Sequence, residues 1–314
     1  MKDIFFSLIV PVYNVENYLG RCLDSILSQD YVKYEIICVN DGATDRSGEI
    51  LCEYAQKYKQ IKVITQENKG LGEARNTGMN YMTGDYVWFI DSDDWIEPGS
   101  LKTINDFHSQ HPEFNVIIID AYRTNAKGEQ KVFNALPDYL RKVSVPTKQY
   151  IDSLMNIKSS PSAWIKIFKY DVIKDYQFSK GFYEDMPLIR VYKLNGVIIG
   201  YLGKCLYNYF YREGSIVTKV DMRILDLFKQ YDLIYDEFKN EGAFRVGLSQ
   251  LLVYWTGRRL DTVRELKYRN IFDAILYEYR LRKSRVLPFW RILLSNIPIS
   301  RKVKLLKYKK IYHL

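Results

Sequence analysis

The chain has no run of 18 or more apolar residues, so no segment is long and apolar enough to cross a bilayer as a helix. Cysteine is scarce: Cys22, Cys38, Cys52 and Cys205 are the only four in 314 residues, and no two form a C-x-x-C pair. With three His in the chain and none clustered near them, the spacing argues against a zinc site and against a disulfide-stapled framework. The thiols read as buried and reduced. Residues 1–12 lack the features of a secretory leader, because Asp3 comes early, Pro11 interrupts a short apolar run and no small-residue cleavage site follows. The expected location is therefore the cytosol. No P-loop signature G-x-x-x-x-G-K-[ST] occurs, and no G-x-G-x-x-G follows the first strand pattern. Gly70-Leu71-Gly72 has Arg75 where a third glycine would stand. P-loop enzymes and dinucleotide-binding oxidoreductases are thereby set aside. No Gly-rich basic loop follows strand one, which argues against the alternative of a nucleotidyltransferase. No internal repeat or low-complexity tract is present.

What is present is ordinary globular composition, 47% hydrophobic and 26% charged. The length suits about two domains of ~100–200 residues each. The net charge of +9 is local. Residues 279–314 hold 11 Lys and Arg and no Asp or Glu, leaving 35 basic against 37 acidic residues elsewhere. That distribution excludes a globally basic nucleic-acid binder and points to one contact with an anionic surface.

The first hundred or so residues alternate strand and helix. Apolar runs predict strands at Phe6–Val12, Tyr34–Val39, Lys62–Thr65, Asp85–Ile90 and Val116–Ile119. Between them, Leu19 to Leu27 and Ile50 to Tyr58 carry helical spacing, and Gly70 to Met82 predicts a Gly-opened helix. This order implies parallel pairing with helices on both faces of the sheet. Further on, the pattern predicts a helix over Gln149–Ile157, a helix opened at Pro187, two strands at Val197–Leu202 and Tyr207–Arg212, and helix from about Arg223 to the end.

Ligands of such sheets bind at the carboxyl ends of the strands. Tyr13-Asn14, Asp41, Glu67-Asn68 and Asp91-Ser92-Asp93-Asp94 all fall there. Two carboxylates one residue apart, directly past a buried strand, can converge on magnesium or manganese, which completes its shell with phosphate oxygens and water. A metal bridged to a diphosphate neutralises charge on a leaving group. An isolated acidic turn could equally cap the helix at Pro98.

The order of these segments resembles family 2 glycosyltransferases of the GT-A fold. The resemblance rests on Val10-Pro11-Val12-Tyr13-Asn14, Val39-Asn40-Asp41-Gly42, Asn68-Lys69-Gly70 through Arg75-Asn76, and Phe89-Ile90-Asp91-Ser92-Asp93-Asp94. It continues through Ser162-Ala163-Trp164-Ile165-Lys166, Tyr183-Glu184-Asp185-Met186-Pro187 and Tyr211-Arg212-Glu213-Gly214-Ser215. It implies an α/β fold, a GT-A nucleotide-sugar-binding Rossmann-like sheet at residues 1–220, with a helical C-terminal extension at 221–314. It further implies an inverting transfer of one sugar from a nucleotide-sugar, expected to be a UDP-hexose, to a saccharide or lipid-linked saccharide acceptor in cell-surface polysaccharide synthesis. An inactive nucleotide-sugar-binding subunit is the alternative.

Carried over residue by residue, the resemblance assigns the sugar donor to Pro11, Val12, Tyr13, Asn14, Asp41, Lys69, Gly70, Arg75, Asp91 and Ser92. Asp41 would accept the imide hydrogen of uracil. Asp93 would hold the manganese or magnesium, and Asp185 would be the general base, with Glu184 the alternative. Trp164, Lys166, Glu184, Arg212 and Ser215 would face the acceptor, Trp164 serving either as a sugar platform or as core. The Q-x-x-R-W motif and spanning helices of polymerising relatives are absent from the sequence, which favours addition of a single sugar. Beyond residue 220 no family motif occurs. Basic residues there mix with Leu287, Phe289, Trp290 and Leu293, a pattern that fits peripheral contact with anionic membrane through 279–314 or a helix packed on the catalytic domain.

Overall fold

The computed structural model describes residues 3–211, 221–265 and 269–286. A ten-stranded mixed sheet forms its centre. The first half runs β1 (Phe6–Val12), α1 (Leu19–Leu27), β2 (Tyr34–Asp41), α2 (Ser47–Lys57), β3 (Ile61–Gln66), α3 (Leu71–Met79) and β4 (Tyr86–Phe89). There follow β5 (Trp95–Ile96), α4 (Ser100–Gln110), β6 (Val116–Asn125), β7 (Gln130–Phe133), β8 (Ser144–Val145) and α5 (Thr147–Met155). The sheet is completed by β9 (Lys166–Lys169) and, after the short α6 (Tyr170–Ile173), by β10 (Ile199–Tyr211). The last three helices of the described residues are α7 (Asp226–Phe238), α8 (Arg245–Glu265) and α9 (Arg269–Val286).

The sheet order is β3-β2-β1-β4-β9-β6-β10-β5, with β7 added beside β6 and β8 beside β10. Strands β3, β2, β1 and β4 are parallel, as their βαβ spacing predicts. The chain moves outward from β1 to β3, then α3 carries it back across β1 and β2 to β4. Right-handed crossovers therefore set α1 and α2 on one face and α3 on the other. The reversal at β1 opens a crevice at the strand carboxyl ends.

Pro11 fits in this central strand for a geometric reason. The carbonyls of Phe5 and Ile9 face β4, where they accept from Tyr86 and Ile90. Pro11 faces the same way but lies past the end of β4, so its missing N–H leaves no ladder bond unmade.

Three sequence expectations are corrected. Lys166-Ile167-Phe168 forms β9, an antiparallel strand wedged between β4 and β6, so the sheet is mixed. Val197–Leu202 and Tyr207–Arg212 are not two strands. Ile199–Tyr211 is a single strand that stays paired to β6 through register shifts between Tyr201 and Tyr207, where Gly203 sits at φ +68°. The segment opened by Pro187 winds as a 3-10 helix over Met186–Lys193.

The apolar core is continuous from β1, where Phe6, Leu8 and Val10 are fully buried, to α7 and α8, where Ile234, Phe238 and Leu248 are. Of the basic tail, Tyr279 and Arg282 lie on α9. Tyr279 is buried, and Arg282 pairs with Asp232 of α7 at 2.9 Å. Residues 287–314, with Trp290, lie outside the described residues. No helix among the described residues is long and apolar enough to cross a membrane.

Candidate active site

Four strand ends build the site. Asp41, the last residue of β2, is buried, and its carboxylate organises the connection between β3 and α3. Oδ1 accepts from Gln66 Nε2 at 2.7 Å and from the Lys69 N–H at 2.9 Å, and Oδ2 accepts from the Gly70 N–H at 2.8 Å. Thr77 fixes the Gln66 amide by donating to its Oε1 at 2.5 Å. A carboxylate offers about four acceptor positions, so these bonds leave roughly one on Oδ2 for an outside ligand. Lys69 contributes its backbone to this clamp, and its side chain is exposed. At the end of β1, Pro11 and Val12 are buried in the sheet, whereas Tyr13 is open to solvent. Asn14, at φ +49°, accepts from the Thr44 N–H at 2.8 Å and so ties the β1 loop to the β2 loop.

The acidic turn after β4 divides its labour. Asp94 points inward. It accepts from the Tyr207 hydroxyl at 2.7 Å and the Phe210 N–H at 2.7 Å, and Tyr207 in turn accepts from the Asp91 N–H at 3.0 Å. Burial, with Asp93 and Asp91 adding repulsion, raises the Asp94 carboxyl well above the usual range. Asp94 is a strut between the turn and β10. Ser92 is buried, while Asp91 and Asp93 keep access to solvent. Arg21 donates to the Asp93 carbonyl at 2.8 Å and holds the turn from α1.

Arg75 is the centre of the site. It lies on α3, with its side chain only 2% exposed. Nη2 pairs with Asp91 Oδ1 at 2.8 Å and Nη1 with Glu184 Oε1 at 2.6 Å. The next residue, Asn76, exchanges two hydrogen bonds with the backbone of Phe178. Thus α3 holds both the acidic turn and the 178–185 loop. The approach is close: a Cβ on Gly72 would stand 2.4 Å from the Ser179 carbonyl oxygen, so only glycine fits there. Burial opposes the charge on Arg75, but Asp91, Glu184 and Asp185 outweigh it and hold the guanidinium above its ordinary pKa. Burial pushes Glu184 up to about 7 against the pull of Arg75, with Asp185 adding to the rise. Asp185, partly open to solvent, is also raised by burial, partly offset by Arg75 and Lys166.

Two residues expected at the acceptor are buried in the structure. The Trp164 ring stacks on Tyr207 at 4.7 Å and Tyr209 at 5.5 Å and is 7% exposed, so it is core and not a sugar platform. Lys166 is fully buried and donates to the carbonyls of Ser160 and Ser162. Burial draws its pKa down to about 7 against the pull of Asp185. Arg212 and Ser215 lie outside the described residues.

Among the described residues, no group of three or more His, Cys, Asp or Glu side chains is placed to hold a metal ion. Asp91 and Asp93 form a two-carboxylate set. That set suits a magnesium or manganese ion shared with a diphosphate, which needs one or two protein carboxylates, and does not suit an all-protein cage.

Residues 7–176 match the sequence profile of glycosyl transferase family 2. The chain belongs to this family. It is 42% identical to glycosyltransferase GlyA of Streptococcus pneumoniae over 223 residues, 69% of this chain and 32% of that protein. It is 30% identical to glycosyltransferase GlyG of the same species over 87% of this chain and 92% of that protein. The chain thus spans about a third of GlyA and most of GlyG. Among solved structures, residues 1–349 of Staphylococcus aureus TarS bound to UDP-GlcNAc superpose with a TM-score of 0.70 at 25% identity, over 92% of this chain and 83% of that one. TarS is named a poly(ribitol-phosphate) beta-N-acetylglucosaminyltransferase. The match confirms the GT-A fold.

Several residues of this family 2 site escaped the sequence reading. Gln66 and Tyr207 carry its hydrogen bonds from segments that read as ordinary strand, and Asn76 and Thr77, although inside a family motif, receive no role from the sequence. Asp94 was visible in the acidic turn, but which of three acids turns inward depends on β10, 113 residues further along. The raised Glu184 pKa has a consequence for stability. A carboxyl whose folded pKa lies above its unfolded value of 4.5 favours folding when protonated, and that contribution is lost as the pH rises through about 7. The melting temperature should therefore fall between pH 5 and pH 7.5 more in the wild type than in Glu184→Gln. Equal slopes in thermal melts would exclude the effect.

Proposed function

We propose that the protein is an inverting glycosyltransferase that moves one sugar from a uridine diphosphate sugar to a hydroxyl of a saccharide or lipid-linked saccharide in cell-surface polysaccharide synthesis. The observation that carries this reading is the Arg75 bridge. It joins Asp91, beside the metal and diphosphate position, to Glu184, next to the acceptor-side carboxylate Asp185. One buried cation thereby sets the spacing between the leaving-group side and the proton-accepting side.

In this reading Asp41 and the open Tyr13 ring receive the nucleobase, and the partly exposed Asp91 and Asp93 face the diphosphate. Asp93, with the second oxygen of Asp91, would hold manganese or magnesium, which when bound neutralises charge on the departing diphosphate. Asp185 takes the proton from the attacking hydroxyl. Burial raises its pKa, which strengthens it as a proton acceptor. Glu184, committed to Arg75, is less available for that task. The UDP-GlcNAc complex of TarS supports the uridine donor, and the polymer in its name supports a cell-surface product. The basic segment 279–314 is assigned a peripheral contact with anionic lipid, where each Lys or Arg contributes roughly 1 kcal/mol.

The test is a screen of nucleotide-sugars for release of nucleoside diphosphate with manganese, magnesium or excess EDTA. UDP-sugar turnover that EDTA and Asp93→Asn both abolish is the expected result. Full turnover in EDTA would sink the metal assignment. Tighter calorimetric binding of GDP than UDP would sink the uridine assignment. Tight UDP binding without turnover on any acceptor would favour an inactive binding subunit.

A further inference from the structure

The loop that carries Glu184 and Asp185 is gripped from both sides. On one side stand Arg75 and Asn76 of α3. On the other stands α7, which belongs to the C-terminal helices and carries no family motif. Gln230 of α7 is completely buried. Its Nε2 donates to the carbonyls of Lys180 at 3.2 Å and Phe182 at 3.1 Å, and its Oε1 accepts from the Ser179 hydroxyl. One turn earlier, Asp226 Oδ2 accepts the Phe182 N–H at 3.1 Å. A single amide and a single carboxylate thus bind four groups of one short loop.

The loop needs such a grip because its backbone is bent. Gly181 has φ +92° and passes so close to α7 that a Cβ would stand 2.5 Å from Asp226 Oδ2. Tyr183 has φ +63°, a conformation that an aromatic residue adopts only where its surroundings impose it. Its ring lies 5.9 Å from that of Trp255, and the Arg259 guanidinium sits 5.0 Å from it, both on α8. The two residues after this bend are Glu184 and Asp185. Any relaxation at 181–183 rotates the peptide units that aim both carboxylates.

We propose that Gln230 and Asp226 are positioning residues for the proton acceptor of sugar transfer, so that the C-terminal helices complete the active site. The proposal rests on the reading of Asp185 as the base. Gln230 touches no substrate in this scheme. It fixes the loop, and the loop aims Asp185. A displacement of about 1 Å at a reacting group lowers a rate by roughly 10²-fold, so a small loosening is enough to register.

The experiment uses the full chain and Gln230→Met, which keeps the side chain's bulk and removes its hydrogen bonds. Phe238→Leu is the control: it lies on the same helix, eight residues beyond Gln230, and is buried against Phe244. Amide hydrogen exchange over residues 179–185, UDP affinity by calorimetry, and hydrolysis of UDP-GlcNAc, UDP-glucose and UDP-galactose with water as acceptor are measured together. In Gln230→Met the loop amides should exchange at least 10-fold faster. The kcat should fall roughly 10- to 100-fold, and UDP affinity should stay within 2-fold. Phe238→Leu should lower the melting temperature without moving kcat. Asp226→Asn, which keeps an oxygen for the Phe182 N–H, should retain most turnover, and Asp226→Ala should not. Unchanged loop exchange in Gln230→Met overturns the clamp. A loosened loop with normal kcat overturns the positioning role and leaves the transferase reading intact. Undiminished hydrolysis by Asp185→Asn removes the base assignment, and the proposal falls with it.

Discussion

Asp185→Asn should bind UDP as the wild type does and lose sugar transfer by roughly 10²–10⁴-fold, the usual cost of removing a general base. The amide is nearly the same size as the carboxylate, but it cannot take a proton from the attacking hydroxyl. Nucleotide binding should survive because Asp185 belongs neither to the Asp41 clamp nor to the acidic turn. Calorimetry with UDP, run beside a transfer assay on the same preparation, separates the two quantities. Glu184→Gln is the matched comparison. If Asp185→Asn transfers sugar normally while Glu184→Gln is inactive, the two acids exchange roles.

Arg75→Met should have the largest effect on stability. Arg75 is almost fully buried between two carboxylates, Asp91 and Glu184. Removing one partner of a buried pair leaves uncompensated charge in the interior, at a cost of about 3–5 kcal/mol. At about 2–4 °C per kcal/mol for chains of 150–250 residues, the melting temperature should drop by roughly 6–20 °C. Arg75→Lys should recover only part of this, because an ammonium group on a flexible stem cannot reproduce the planar fork that reaches both acids. The double variant Arg75→Met/Glu184→Gln should be less destabilised than the two single losses added together, since one unpaired charge has gone. Strict additivity in thermal melts would mean that the bridge contributes little.

Much of the fold was legible in the sequence because it depends on local pattern. β1 to β4 and β6 are short apolar runs with helices between them, and the alternation itself requires parallel strands and crossovers. The polar residues at the strand ends were equally legible. Asp41, Asp91 and Asp93 follow buried runs, and their position needs no knowledge of distant contacts. What failed was β9 and the division of β10. Lys166-Ile167-Phe168 is too short to declare itself, and only its neighbours β4 and β6 make it a strand. β10 survives its bulges because β6 supplies partners on either side of them.

The sequence by itself determined the family, the parallel β1–β4 part of the sheet and the acids at its edge. Only the tertiary structure decided what each polar residue does. Trp164 and Lys166 have the composition of a ligand site, yet stacking on Tyr207 and bonding to the carbonyls of Ser160 and Ser162 commit them to the interior. The resemblance sets Arg75 at the donor, but nothing in the sequence brings Glu184, 109 positions away, against it. Gln230 carries no signal at all before the 179–182 loop is laid on α7. The physical reason is common to all three. Residue type and spacing specify which face of a helix or strand a side chain occupies. Whether that face meets water, a carbonyl or an opposite charge depends on elements that are distant in the chain.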